Sequence, residues 1–178
     1  MSQVAFSAAI IGWHDFYLAA AGASAALLGL LFVGVSINLG AIAAQERPDL
    51  RARAGLAFSN LIYVLIVSLI LLIADPEPHG IAIGLGAVAG IGLVRTMRGL
   101  YVSLRVQHRW RERLPIVRRV GWTVAADLVI AWVAIVFYAA SDARIVILLA
   151  ASVLILTIGA ADVAWEMLVQ VSQEQRLG

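Results

Sequence analysis

The 178-residue chain reads as an all-α integral membrane protein, a bundle of five transmembrane helices with its N-terminus out and its C-terminus in. Three observations predict this. Hydrophobic residues make up 62 % of the chain and charged ones 13 %, with a mean hydropathy of +0.95, whereas soluble domains run nearer half apolar and a quarter charged. Apolar runs long enough to cross a bilayer core of ~30 Å recur along the chain. The basic residues gather on alternate connections, and every one of the 13 is Arg. Residues 1–178 are therefore expected to form a single transmembrane domain, with no room for a separate soluble one. The absence of Cys excludes disulfides, thiolate metal sites and Cys nucleophiles.

The first expected span, residues 16–39, has no Asp, Glu, Lys, Arg or His. Its small residues from Ala19 to Ala26 suit close helix packing, so it is the span against which the others are expected to pack. The N-terminus before it lacks the positive region of a signal peptide, so this first span is expected to be a retained helix rather than a removed signal. A polar link around Arg47, Pro48, Arg51 and Arg53 leads to the second span, 56–74, which stops at Asp75-Pro76-Glu77-Pro78-His79-Gly80. The two prolines there cannot continue a helix. The third span, 81–100, is rich in glycine, a poor helix former in water. In lipid, its Ala82, Gly86 and Gly90 share one face at i, i+4, i+8, which suits close packing. The fourth and fifth spans are expected over 122–140 and 145–167.

Arginine placement sets the orientation. Three lie in the first link, eight between Arg95 and Arg119, and one in the tail at Arg176, leaving Arg144 alone on the other side. If all five segments cross, 12 of the 13 share the side that the positive-inside rule assigns to the cytoplasm. The aromatics then fit interfacial belts, with Trp13, Phe16, Tyr17, Phe137 and Tyr138 outside and Tyr101, Trp122 and Trp165 inside. No internal repeat indicates an inverted-repeat transporter.

Five ionisable residues converge by depth on the inner half of the membrane: Arg95, Arg98, Asp127, Asp162 and Glu166. Asp127 lies roughly 10 Å along its helix from Arg118 and Arg119, and Asp162 and Glu166 share a face at i, i+4. A charge at the bilayer centre costs ~2.5–3.5 kcal/mol, so such groups pair up. Arg95 and Arg98 are expected to pair with Asp127 or Asp162. The cluster is either an ion-pair network that fixes helix register or a proton or ion relay with Asp127 as its deepest carboxylate. A second, uncharged set comprises Ser36, Asn38, Ser59 and Asn60, with Ser68 beyond it. Asn38 and Asn60 lie at the inner ends of adjacent helices and could bond across the contact for ~0.6 kcal/mol; helix contacts are the expected role, pore lining the alternative.

On the outer side, His14, Asp15, Asp75, Glu77, His79 and Asp142 match no metal motif, and neither a metal nor a cofactor is expected. The inner loop carries Val106, Trp110 and Leu114 as an apolar stripe among Arg105, Arg109, Arg111 and Arg113, followed by Arg118 and Arg119. It is expected to extend the third helix, to break or restart at Pro115, and to hold anionic lipid at ~1 kcal/mol per Arg. So short and membrane-bound a loop is not expected to bind nucleic acid. No H-E-x-x-H, G-x-S-x-G or P-loop appears, and no enzyme activity is expected.

The first helix reads Trp13-His14-Asp15-Phe16-Tyr17, then small residues, then Ala25-Ala26-Leu27, Gly29-Leu30-Leu31-Phe32-Val33 and Val35-Ser36. This stretch resembles a group of small bacterial inner-membrane proteins, some of them labelled modulators of a membrane-bound ATP-dependent protease. The resemblance covers the first span and the start of the second and implies a multi-pass protein of the bacterial inner (plasma) membrane. The functional expectation is a non-enzymatic protein that self-associates into a homo-oligomer through small-residue helix faces. It would serve as a scaffold or as an accessory subunit to another membrane protein. The alternative is an oligomeric ion or proton channel, or a small-solute transporter. Sealing Ser36, Asn38 and Asp127 within one subunit would favour the first reading; directing them to a shared axis would favour the second.

Overall fold

The computed structural model describes residues 3–37, 48–73, 77–106, 110–140 and 143–174. Among them the secondary structure is entirely helical: α1 (Gln3–Ile11), α2 (His14–Ile37), α3 (Pro48–Leu71), α4 (Pro78–Val106), α5 (Trp110–Ala140) and α6 (Val146–Glu174). A 3₁₀ turn, Ala143–Ile145, leads directly into α6. Pro48 and Pro78 stand at the first positions of α3 and α4, where the missing N–H is no loss and the fixed φ already suits a helix. The Glu77 carbonyl accepts the first bond of α4, from Ile81 N at 3.0 Å.

Four helices contain stretches long and apolar enough to cross a membrane: His14–Ile37, Ala54–Leu71, Pro78–Arg98 and Thr123–Ala140. In α6 the apolar run is the shorter Val146–Asp162. Leu30, Phe32, Ile83, Ile91, Ile135, Ile147 and Ile158 are all more than half exposed. A water-soluble surface would not carry so many large apolar side chains, and the whole fits a multi-pass membrane protein.

Two expectations about organisation are corrected. The first span is not the hub. In α2 only 17 % of the apolar window is buried, against 50 % in α3, and it is α3 that touches α2, α4 and α6 together. The inward stripe of α2 is narrow, running through Tyr17, Ala21, Ser24 and Leu31, so most of its small residues face outward. Secondly, α5 continues through Pro115 rather than restarting there. Pro115 lies just past the first turn, so only one helical bond, to the carbonyl of Arg111, is forgone.

Antiparallel register follows from the glycines. A Cβ on Gly84 would lie 3.4 Å from Ile70, and one on Gly92 would lie 2.9 Å from Tyr63 Cε2, so moving forward on α4 moves back on α3. Likewise Gly86 faces Ala134 at 3.9 Å, while Gly92 and Thr96 meet Asp127 on α5. The face expected to pack closely, Ala82, Gly86 and Gly90, holds only in part. Ala82 is buried, but a Cβ on Gly90 would meet nothing within 4 Å. The contact path drifts instead through Leu85, Ala89 and Gly92 in steps of three and four residues. Because Gly90 has open space, Gly90→Ala is expected to be neutral or to stabilise by up to about 1 kcal/mol through helix propensity, read as thermal unfolding in detergent.

The larger core joins all the helices around Tyr63, Val64, Val67, Leu85, Ile130, Val133, Phe137, Leu149 and Val153. A smaller one, Leu31, Ala57, Leu61 and Ala160, ties α2, α3 and α6 at the other end. There the small side chains let the backbones approach. The helix α1 was not foreseen. It turns into α2 at Gly12 and Trp13, whose N–H groups bond Ala8 O at 3.1 Å and Ile10 O at 2.9 Å. It buries Phe6 and Ile10, and Phe6 meets Phe137 edge to face at 5.1 Å. Tyr17 and Phe137, expected in an interfacial belt, are instead fully buried, and the Tyr17 hydroxyl donates to Val146 O at 3.3 Å. Tyr138 and Trp165 are exposed, as a belt requires.

Candidate functional site

Asp127 is the one acidic side chain that the described residues bury, at 1 % exposure. It lies four residues into the apolar stretch Thr123–Ala140, about 6 Å from that stretch's N-terminal end. Its carboxyl points at α4 between two positions a helical turn apart. Thr96 Oγ1 donates to Oδ2 at 3.3 Å, and Oδ1 lies 2.7 Å from where a Cβ of Gly92 would stand. The missing side chain at Gly92 is thus what lets the carboxyl reach between the helices. Tyr63 closes the pocket from α3, its Cε2 lying 2.9 Å from that same point. Its hydroxyl faces the carboxyl but not at a distance and angle that make a hydrogen bond, so Oη is buried without a partner. Arg95, one residue before Thr96, lies within electrostatic reach of Asp127, with its side chain exposed. Among the described residues Asp127 makes no ion pair.

Apart from Tyr17 and Thr96, whose hydroxyls bond across to other helices, the polar side chains in and near the core show two contrasting patterns. Ser24 donates to Ala21 O at 3.0 Å, Ser152 to Leu148 O at 2.9 Å and Thr157 to Val153 O at 2.8 Å. Such bonds to the helix's own backbone leave these groups satisfied wherever the helix sits. By contrast Asn60 Oδ1, Tyr63 Oη and Ser68 Oγ are buried with no partner, and all three belong to α3. An unsatisfied buried polar atom costs about 1–3 kcal/mol, so the central helix carries the bundle's polar strain.

Of the five ionisable residues expected to converge, the structure brings Arg95 and Asp127 together. Arg98 is exposed on α4 and Asp162 exposed on α6; Glu166 belongs to the α6 backbone, and its side chain lies outside the described residues. The expected partner of Asp127 was an arginine, and the bonded partner is the hydroxyl of Thr96. In the uncharged set, Ser36 is exposed, Ser59 half-buried and Asn60 buried. Asn38, and with it the expected bond to Asn60, lies outside the described residues. Arg105 sits in α4 and Arg111, Arg113, Arg118 and Arg119 in α5 as helical backbone, their side chains outside the description, as is Arg109 entirely.

At the opposite end of the bundle from Asp127, His14 Nδ1 and Asp15 Oδ1 are 3.2 Å apart on the surface, and His79 meets Tyr138 edge to face at 5.2 Å. No group of three or more metal-ligating side chains occurs among the described residues. Reading the sequence missed Tyr63, Gly92 and Thr96. A signal for Tyr63 was present, since a phenol in the middle of a span rather than at its end has no interface to reach.

No protein-family model, curated protein or solved structure matches the chain.

Proposed function

We propose that the protein is a non-enzymatic, five-span membrane protein of the bacterial inner membrane that self-associates through α2 and serves as a scaffold or accessory subunit. Five crossings, with α6 as the fifth, keep 12 of the 13 arginines on one side, and the resemblance of the opening motif supports a bacterial inner membrane. The observation that carries the functional reading is the outward face of α2. Ala19, Gly22, Ala23 and Ala26 lie on it at i, i+3, i+4 and i+7, all exposed, with Gly29 beside them. A Cβ on Gly22 or Gly29 would meet nothing within 4 Å. Many outward positions of the other helices carry bulk that suits lipid, Ile83, Ile91 and Val94 on α4, Leu128, Trp132 and Ile135 on α5, Ile147 and Ile158 on α6, although Gly86, Ala87 and Gly90 on α4 are exposed as well. Small residues exposed to lipid gain nothing there, whereas against another helix they allow close backbone approach. Of the three discriminating residues, Asp127 is sealed among α3, α4 and α5 of one subunit, which favours a scaffold over a pore built at a shared axis, whereas Ser36 is exposed and Asn38 lies outside the described residues.

Energy transfer between donor- and acceptor-labelled copies in liposomes tests this. Transfer is expected to persist as lipid dilutes the protein, and to fall at least tenfold in apparent association for the Gly22→Leu, Ala26→Leu double variant. A difference of that size corresponds to about 1.4 kcal/mol. Transfer that decays with dilution as random proximity does would overturn self-association.

A further inference from the structure

We propose that Asp127 is an exchangeable proton-binding site, with Arg95 as its counter-ion when the proton leaves and the Tyr63 hydroxyl, unbonded in this structure, shifting into hydrogen-bond range of the carboxyl to serve both states. The site stands on three observations: a carboxyl buried between helices, one hydroxyl bond to it at 3.3 Å, and a second hydroxyl buried beside it with no partner. A carboxylate held permanently ionised at this depth needs a fixed cation or several donors, and Asp127 has a single Thr96 hydroxyl. A carboxyl held permanently neutral would have no use for Arg95 within electrostatic reach. The intermediate arrangement suits exchange.

The chemistry balances on one proton. In the protonated state a small shift of the Tyr63 ring brings Oη within reach of the carboxyl O–H, which donates to it, and Thr96 donates to the other oxygen. On release the proton passes to water at the Arg95 end, the nearer edge of the apolar stretch. The carboxylate left behind accepts from Thr96 and from Tyr63, whose hydroxyl can both donate and accept. The long side chain of Arg95, exposed at the edge, swings inward to pair with it. The titratable groups that face Asp127 are Tyr63 from α3 and Arg95 from α4. From α6, which also packs on α5, the nearest described acid, Asp162, is exposed. Proton exchange needs only one copy of the chain, so it stands or falls separately from association through α2.

Infrared spectroscopy of the full-length protein in lipid vesicles, titrated from acid to alkaline pH, tests the site. The expected result is a protonated-carboxyl C=O band that is lost on alkalinisation and missing in Asp127→Asn, with elution volume and helicity confirming that the variant is folded. In Arg95→Gln, an exposed change that leaves packing intact, the same band is expected to persist to more alkaline pH, because the cation that favours the ionised form is gone. A further expected result is a shift in band frequency in Tyr63→Phe. A band absent at every pH, a band present at every pH, or a titration identical in Arg95→Gln would each overturn the proposal.

Discussion

Replacing Gly92 with alanine is expected to destabilise the bundle by about 1–3 kcal/mol, the range seen when a packed interior is overfilled. The added Cβ would stand 2.7 Å from Asp127 Oδ1, 3.0 Å from its Cγ and 2.9 Å from Tyr63 Cε2. Three contacts below normal carbon distances, from two different helices, leave no direction in which α4 can yield without opening one seam. Asp127 cannot swing aside cheaply, because its other oxygen is held by Thr96 and the surroundings bury it. Helix propensity works the other way, alanine being favoured over glycine by about 1 kcal/mol, so the packing cost has to exceed the observed loss. The contrast with Gly90→Ala, one half-turn earlier and open, isolates the steric part. Equilibrium unfolding in mixed micelles of Gly92→Ala, Asp127→Ala and the double variant should show a favourable coupling of 0.5 kcal/mol or more, about the least expected of residues in contact. Strict additivity would mean that the two helices do not meet there. Gly92→Leu, which has to place a branched side chain in the same space, should not assemble into a stable bundle at all.

What could be read from the residues alone divides along a physical line. Apolar runs and the prolines that interrupt them report where a helix exists and how deep each residue lies, because both depend on position along one axis. Hence the helices over the expected spans, and the position of Asp127 near one end of its apolar stretch, were legible. The rotation of each helix about its axis depends on its neighbours and was not. Gly90 and Gly92 are chemically identical and two residues apart, yet one meets open space and the other Asp127 and Tyr63. The same ignorance of rotation put Arg98 and Asp162 in a shared cluster, where the structure leaves both exposed. It also made α2 the hub, since a run of small residues reads alike whether it faces inward or outward. Tyr17 and Phe137 were misjudged for a related reason: an aromatic near a span's end suits a lipid interface and a core equally, and only α1, too short to announce itself by periodicity, decides for the core.

That role of α1 leads to the largest expected loss away from the polar site. Phe137 is fully buried and holds Phe6 at 5.1 Å with an interplanar angle of 85°, an edge-to-face pair worth about 0.5–1.5 kcal/mol beyond its burial. Phe137→Ala is expected to cost ~3 kcal/mol, the low end for removing a phenyl ring from a packed core. The low end applies because lipid is as apolar as the interior, so the cavity rather than transfer from water sets the loss. Two effects should separate. Phe137 touches both the helical core and α1, so its loss should lower the unfolding midpoint of the whole bundle and expose amides of α1 to hydrogen exchange. Phe6→Ala removes the partner ring from α1 alone and should free those amides while leaving the midpoint nearly unchanged. If Phe6→Ala lowered the midpoint as far as Phe137→Ala does, α1 would be part of the bundle's cooperative core rather than a segment packed on its end.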